Sequence, residues 1–407
     1  MPLPRLSAFA ALRHRNFRLF YTGQSVSLIG TWMHLLAQGW LVLELTDSAL
    51  WVGLVSFLNA VPILVLSLPA GVYVDRADKR RVVTVCQALM LLEALVLAVL
   101  AGTGLVRAWH VGLLAFALGC ISAVEIPARQ AMIVELVGKG DLTNAIALNS
   151  AAFNATRIVG PAIAGIIVAR AGVTACFGIN VLTYLGPLIA LRRMERPAWM
   201  RPEGLGEVAA RLREGLRFVK AERPVFALIL ATGVLSVLGF PYVVLMPVFA
   251  RDVFEVGADG LGVMTGAVGV GALSAALGLA AFAGRAPRGR LVGWASTMFG
   301  LTVAGFACAP RFAPAVVLLG LSGFAMVLNN AATNTLLQGL APDALRGRVM
   351  ALWSLVFVGF APLGAMLEGA LAGRLGPRAA VALGGLATSL TVLWIWRRVG
   401  REVLTLR

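Results

Sequence analysis

The stretch "GVYVDRADKRR", residues 71–81, sets Asp75, Arg76, Asp78, Lys79, Arg80 and Arg81 between two long apolar runs, 49–73 and 81–103. Each run exceeds the roughly 20 apolar residues a helix needs to cross a bilayer of about 30 Å. A short charged turn between two such runs reads as a loop at a membrane face. The whole chain agrees: 59% of its 407 residues are hydrophobic, 13% are charged, and the mean hydropathy is +0.87. A soluble domain is about 25% charged. This composition excludes an ordinary soluble enzyme and a disordered chain.

Working outward from that turn, twelve spans are predicted. They cover 17–43, 49–73, 81–103, 108–133, 143–169, 172–192, 223–249, 258–283, 289–309, 312–338, 348–372 and 377–396. The fold class expected is therefore an all-α membrane protein. The first run is long enough to span and shows no clear small-residue cleavage site, so a retained helix is expected there rather than a removable leader. Cys86, Cys120, Cys176 and Cys308 lie far apart in apolar runs, without metal or redox spacing.

The net charge of +16 is a topology signal. Arg107, Arg170, Arg251, Arg311, Arg374 and Arg378 fall on one side and Arg157 falls within a span; all other basic residues fall in the termini and the opposite loops. The positive-inside rule then predicts both termini in the cytoplasm of a bacterial inner membrane, with anionic lipid as the partner of the basic loops. The basic residues are scattered between spans, which is unlike the clustered face of a nucleic-acid binder.

The longest hydrophilic stretch, 193–222, divides the chain into two six-span bundles, 1–192 and 223–407. Within it Leu205, Val208, Leu212, Leu216 and Val219 recur at steps of three and four. That is an amphipathic helix, either lying on the membrane surface or simply joining the halves. The halves resemble each other: "ALNS" at 147–150 matches "ALWS" at 351–354, and at the same offset Gly160 falls on Gly364. Parallel six-span repeats imply duplication, with a transport pathway between the halves.

The turn at 71–81 resembles the loop signature of the major facilitator superfamily, carried here by Gly71, Asp75, Arg76, Lys79, Arg80 and Arg81. Residues 12–55, "PARQAMIVELV" (127–137), "ALNSAAFNATRIVGPAIAG" (147–165) and "LRGRVMALWS" (345–354) are similar to the exporter subgroup of enterobactin exporters and macrolide-efflux proteins. The resemblance covers nearly the whole chain. It implies a twelve-helix secondary transporter working by alternating access. It also implies that Asp75 acts as a gating latch against a helix end of the other half and a basic residue of the fourth span, here Arg129. Gly71 would allow close helix approach. "RIVGPAIAG" is similar to the antiporter motif of drug exporters, through Gly160, Pro161 and Gly165, with Ala164 where that motif has a glycine.

Ionisable residues inside a membrane are functional candidates. Arg157 and Glu125 lie in neighbouring spans, and a Glu125–Arg157 pair is expected, either as a proton-coupling device or as a permanent ion pair. Glu93 sits on the third span, peripheral in this fold, where a surface or packing role is expected. Glu44 and His34 on the first span are further coupling candidates, and His34 equally reads as a packing residue. Gln38, Asn59, Asn154, Tyr242, Asn330 and Trp353 outline a substrate cavity or, equally, hold helices together.

The sequence carries no phosphate-binding GxxxxGK[ST] loop, HExxH helix or G-x-S-x-G elbow. No cofactor, metal or enzymatic activity is expected. The predicted task is export of a small amphipathic compound in exchange for protons. A uniporter or importer of a nutrient or lipid on the same fold is the alternative, and an intramembrane enzyme or scaffold a remote one.

Overall fold

A computed structural model describes residues 9–195, 208–281, 288–399 and 402–403. Among the described residues there is no strand. The first three helices match the expected spans closely: α1 (Arg15–Thr46), α2 (Ala49–Arg76) and α3 (Lys79–Gly102). Asp78 caps α3 by accepting from the Arg81 backbone N–H at 3.1 Å, so the charged turn is also a helix start.

The spans expected as three separate helices at 108–192 form one continuous run, α4 (Ala108–Arg193). It is broken at single residues rather than by loops. Gly138 (φ 67°, ψ −178°) and Gly172 (φ 77°, ψ 172°) are the two non-helical positions. A positive φ in this region is available to glycine without the clash a Cβ would bring. Eleven helices among the described residues are long and apolar enough to cross a membrane. The one over Gly140–Arg193 has 54 residues, which at about 1.5 Å per residue is more than twice a bilayer core, and Gly172 divides it. The expected twelve crossings are consistent with this arrangement.

The remaining helices are α5 (Val208–Ala221), α6 (Arg223–Val234), α7 (Met246–Val248), α8 (Gly257–Ala281), α9 (Arg288–Cys308), α10 (Phe312–Leu340), α11 (Asp343–Gly359), α12 (Ala361–Leu375) and α13 (Pro377–Arg398). Two expected spans are interrupted. Between α6 and α8 the helix passes through π turns at Leu235–Gly239 and Phe249–Val253 and a 3₁₀ turn at Phe240–Val243. Pro241 and Pro247 remove the donors that a regular α-helix would use there. The expected span 348–372 divides at Phe360, just ahead of Pro362.

The chain divides into two compact units: Met1–Leu41 with Leu58–Glu203, and Val42–Phe57 with Gly204–Arg407. The first is cored by Phe17, Phe20, Val83, Met132, Leu136 and Leu191. The second is cored by Leu228, Leu337, Val349, Val392, Ile395 and Trp396. On α3 the face carrying Val85, Leu89, Leu92 and Val99 is exposed and apolar, as a lipid-facing surface must be.

The linker helix α5 begins at Val208; Leu205 lies outside the described residues. Its Val219 is buried in the second unit's core, Glu214 pairs with Arg348, and a Cβ on Gly215 would come within 3.0 Å of the Arg348 Cβ. α5 is thus packed onto α11. Leu216 alone of its described apolar positions keeps 43% exposure.

Candidate functional sites: a charged turn and two polar interiors

In the first unit, the turn at 71–81 is built by the end of α2 and the cap of α3. Asp75 is half-buried, and Arg76 and Arg81 are exposed. Lys79 is buried, its Nζ 3.0 Å from Glu135 Oε1. Arg80 donates to the Arg192 carbonyl at 3.4 Å. Half of the basic cluster thus ties helix ends together, whereas only Arg76 and Arg81 face outward as expected of headgroup contacts. Gly71 is not at a close helix approach, contrary to its expected role: a Cβ there would meet nothing within 4 Å. Gly160 is at one, since a Cβ would stand 2.6 Å from the Trp32 Cβ and 2.9 Å from the Ile29 carbonyl oxygen. Pro161 and Gly165 are buried beside it.

Glu125 finds its cation on its own helix. Arg129, one turn on, donates from Nε at 3.0 Å, and Gln87 of α3 donates to the same oxygen at 3.3 Å. This corrects the expected Glu125–Arg157 pairing: the i,i+4 spacing brings Arg129 to the carboxylate without any help from tertiary structure. It also occupies the residue expected to partner Asp75. Arg157 lies with its guanidinium carbon 5.9 Å from the centre of the Trp32 ring, a cation–π arrangement.

The interior of the first unit is more polar than its hydropathy indicates. Along α1, Gln24, Ser27, Thr31, His34 and Gln38 recur at steps of three and four; Thr31 is half-buried and the other four are buried. Opposite them Glu93 is 5% exposed, on the α3 stripe of Cys86, Met90 and Leu97. His34 Nε2 stands 3.7 Å from Glu93 Oε1, and the Phe177 ring meets the imidazole edge-on at 5.1 Å. Neither ring nitrogen of His34 and neither oxygen of Glu93 has a hydrogen-bond partner among the described residues. Of the expected surface or packing roles of Glu93, its burial rules out the surface one. The signal was present in the sequence: Glu93 falls in register with Cys86, Met90 and Leu97 at steps of four and three.

The cavity candidates separate. Asn59 donates to the Ala115 carbonyl at 3.2 Å and so joins α2 to α4. Asn154 is exposed and donates to its own helix at Ser150. Gln38 is buried with its Nε2 unpartnered. Glu44 is exposed. In the second unit, the Tyr242 hydroxyl lies 3.1 Å from Ser322 Oγ, and its ring packs edge-on to Phe299 and Phe306. Trp353 donates to Thr232 Oγ1 at 3.2 Å and stacks on Phe357. Asn330 is half-buried, Asn329 is buried, and Glu368 is buried against α13 near Gly384.

The sequence reading missed one further cluster, at the α1–α2 turn. Arg251 lies 2.8 Å from Asp47, bonds Asp252 at 2.5 Å, and donates to the Leu43 carbonyl at 2.9 Å. Asp47 and Asp252 line an open cavity of about 700 Å³ with Ser48, Val248 and Arg378, all within the second unit. Among the described residues, no group of His, Cys, Asp and Glu is arranged to hold a metal ion.

A long apolar helical chain with broken helices, tight glycine contacts and buried ionisable groups is the build of a major facilitator transporter. The chain belongs to the transmembrane secretion effector family of that superfamily, whose family model matches residues 6–401. It is accordingly a multi-pass membrane transporter and not an enzyme. Multidrug efflux pump Tap of Mycolicibacterium fortuitum is 30% identical over 385 residues, covering 89% of this chain and 90% of Tap. The enterobactin exporter EntS of Shigella boydii is 26% identical over 378 residues, covering 91% of this chain and 89% of EntS. The staphyloferrin A transporter of Staphylococcus aureus is 28% identical over 251 residues, covering 60% of this chain and 62% of that protein's length. The solved structure of a bacterial homologue of the iron transporter ferroportin shares the fold, with TM-score 0.75, 19% identity, and 95% and 98% of the two chains covered.

Proposed function

We propose that the chain exports small amphipathic compounds, drug-like or siderophore-like, across a bacterial plasma membrane in exchange for protons. The observation that carries this reading is the match of a secretion family over residues 6–401. Relatives named for multidrug efflux and enterobactin export match over about nine-tenths of the chain and support the same direction. The half-buried, stacked rings of Trp353 and Phe357 suit an amphipathic solute. Both termini lie in the cytoplasm by the distribution of basic residues, with Arg76 and Arg81 near anionic headgroups. Asp75 and its turn gate the inner face, and ionisable groups of the helices bind the proton, with buried His34 and Glu125, half-buried Arg157 and exposed Glu44 as the candidates.

Proteoliposomes carrying an internal pH dye and an imposed pH gradient test this against tetraphenylphosphonium, erythromycin and a catecholate siderophore. Compound-dependent dissipation of the gradient by the wild type, lost in Asp75→Asn, is the expected result. Compound movement without proton movement would make the protein a uniporter. Movement in the same direction as the protons would make it an importer.

A further inference from the structure

We propose that His34 and Glu93 together form the proton-binding site of the transport cycle, inside the first unit between α1, α3 and the last part of α4. The inference rests on the proton-coupled reading above and names the site within it.

The argument starts from cost. A lone ionised carboxylate held away from water costs several kcal/mol, and so does a lone imidazolium. Glu93 and His34 are 5% and 1% exposed, and their nearest polar atoms are 3.7 Å apart. With one proton between them, the pair is neutral overall, either as imidazolium with carboxylate or as imidazole with carboxylic acid. With none it carries an unbalanced negative charge, and with two an unbalanced positive one. The pair therefore favours holding one proton. A gap of 3.7 Å is too long for a hydrogen bond and closes with a shift below about 1 Å. The contact is thus poised between an open and a bonded geometry.

The surroundings leave this charge to the pair. On α1 the neighbours along the stripe, Thr31 and Gln38, are neutral. On α4, Tyr184 is a phenol whose hydroxyl lies 3.5 Å from Thr31 Oγ1, and the Glu125 carboxylate is already bonded to Arg129. Cys86 on α3 and Cys176 on α4 are buried thiols. Among the described residues no donor is hydrogen-bonded to either Glu93 oxygen, so its charge state is set by its own proton and by His34. In loading, a proton from water forms an O–H bond at Glu93 or an N–H bond at His34. In release, that bond breaks and the proton returns to water at the opposite face.

The test is a pH titration of the full chain in lipid nanodiscs, followed by infrared difference spectroscopy of the carboxylic acid C=O band, with no transported compound present. A band that titrates in the wild type, disappears in Glu93→Gln and shifts its midpoint in His34→Gln is the expected result. Absence of any titrating band that Glu93→Gln removes overturns the proposal and makes the pair a fixed packing contact. Glu93→Asp, which keeps the acid, guards against misfolding by restoring a titrating band. The transport arm uses tetraphenylphosphonium in the proteoliposomes described above. Proton antiport kept by Glu93→Gln and His34→Gln but lost in Glu125→Gln moves the site elsewhere and leaves the export reading standing. Compound movement without protons in the wild type ends both.

Discussion

Arg129 stands one turn beyond Glu125 on α4, and its Nε–H donates to both carboxylate oxygens, at 3.0 and 3.3 Å. Both side chains are largely buried. Removing one partner of such a pair strands the other charge, at a cost of about 3–5 kcal/mol. Arg129→Ala is therefore expected to lower the unfolding temperature in detergent sharply. Glu125→Gln with Arg129→Gln together should cost less than the sum of the single changes. Simple additivity in that double-mutant cycle would show that the two side chains do not interact.

Two glycines of the family motifs should behave oppositely. Gly160→Ala forces a methyl group into Trp32 and the α1 backbone, and should reduce both thermal stability and transport. Gly71→Ala meets nothing within 4 Å and should stay near the wild-type melting temperature. The opposite ranking in a thermal-shift assay would refute this assignment of the packing contact.

At the α1–α2 turn, Arg251 holds three acceptors, of which the Leu43 carbonyl and Asp252 survive any change at Asp47. The Asp47 side chain is 81% exposed, so its ion pair is worth only about 0–1 kcal/mol. Asp47→Asn should leave the melting temperature almost unchanged, whereas Arg251→Ala should lower it measurably. High salt should erase most of the small Asp47 effect.

Docking of the linker helix predicts a protease phenotype. Arg348→Ala removes the partner of Glu214, and Gly215→Val drives a branched side chain toward α11. Both variants should speed cleavage of 208–221 by trypsin relative to the wild type, with the membrane helices intact on a gel. Unchanged cleavage rates would show that Val219 alone holds the helix down.

The spans were legible in the sequence because length and apolarity report on the bilayer itself, as the fit of α1, α2 and α3 shows. Helix interruptions were less so. Gly138 and Gly172 turn the chain at single residues where loops were expected, and Pro241 and Pro247 break a span that hydropathy shows as continuous. The buried face was hardest to read. Lipid is as apolar as a protein core, so Leu92 and Leu97 look alike in hydropathy although one faces outward and the other inward. Only polar residues mark the interior, which is how Glu93 should have been placed. Resemblance sets Arg129 beside Asp75, while simple helix spacing places it beside Glu125.

The polar stripe of α1 bears on how the protein is made. This helix is the least apolar of the candidate spans, and it is synthesised first. Its companions in the folded unit, Glu93 and Tyr184, leave the ribosome only later. Until then Gln24, His34 and Gln38 would face hydrocarbon instead of the polar interior of the folded unit. The helix is therefore expected to linger at the insertion machinery until α3 and α4 follow, so that biogenesis of the first unit is a joint event rather than a helix-by-helix release into the bilayer.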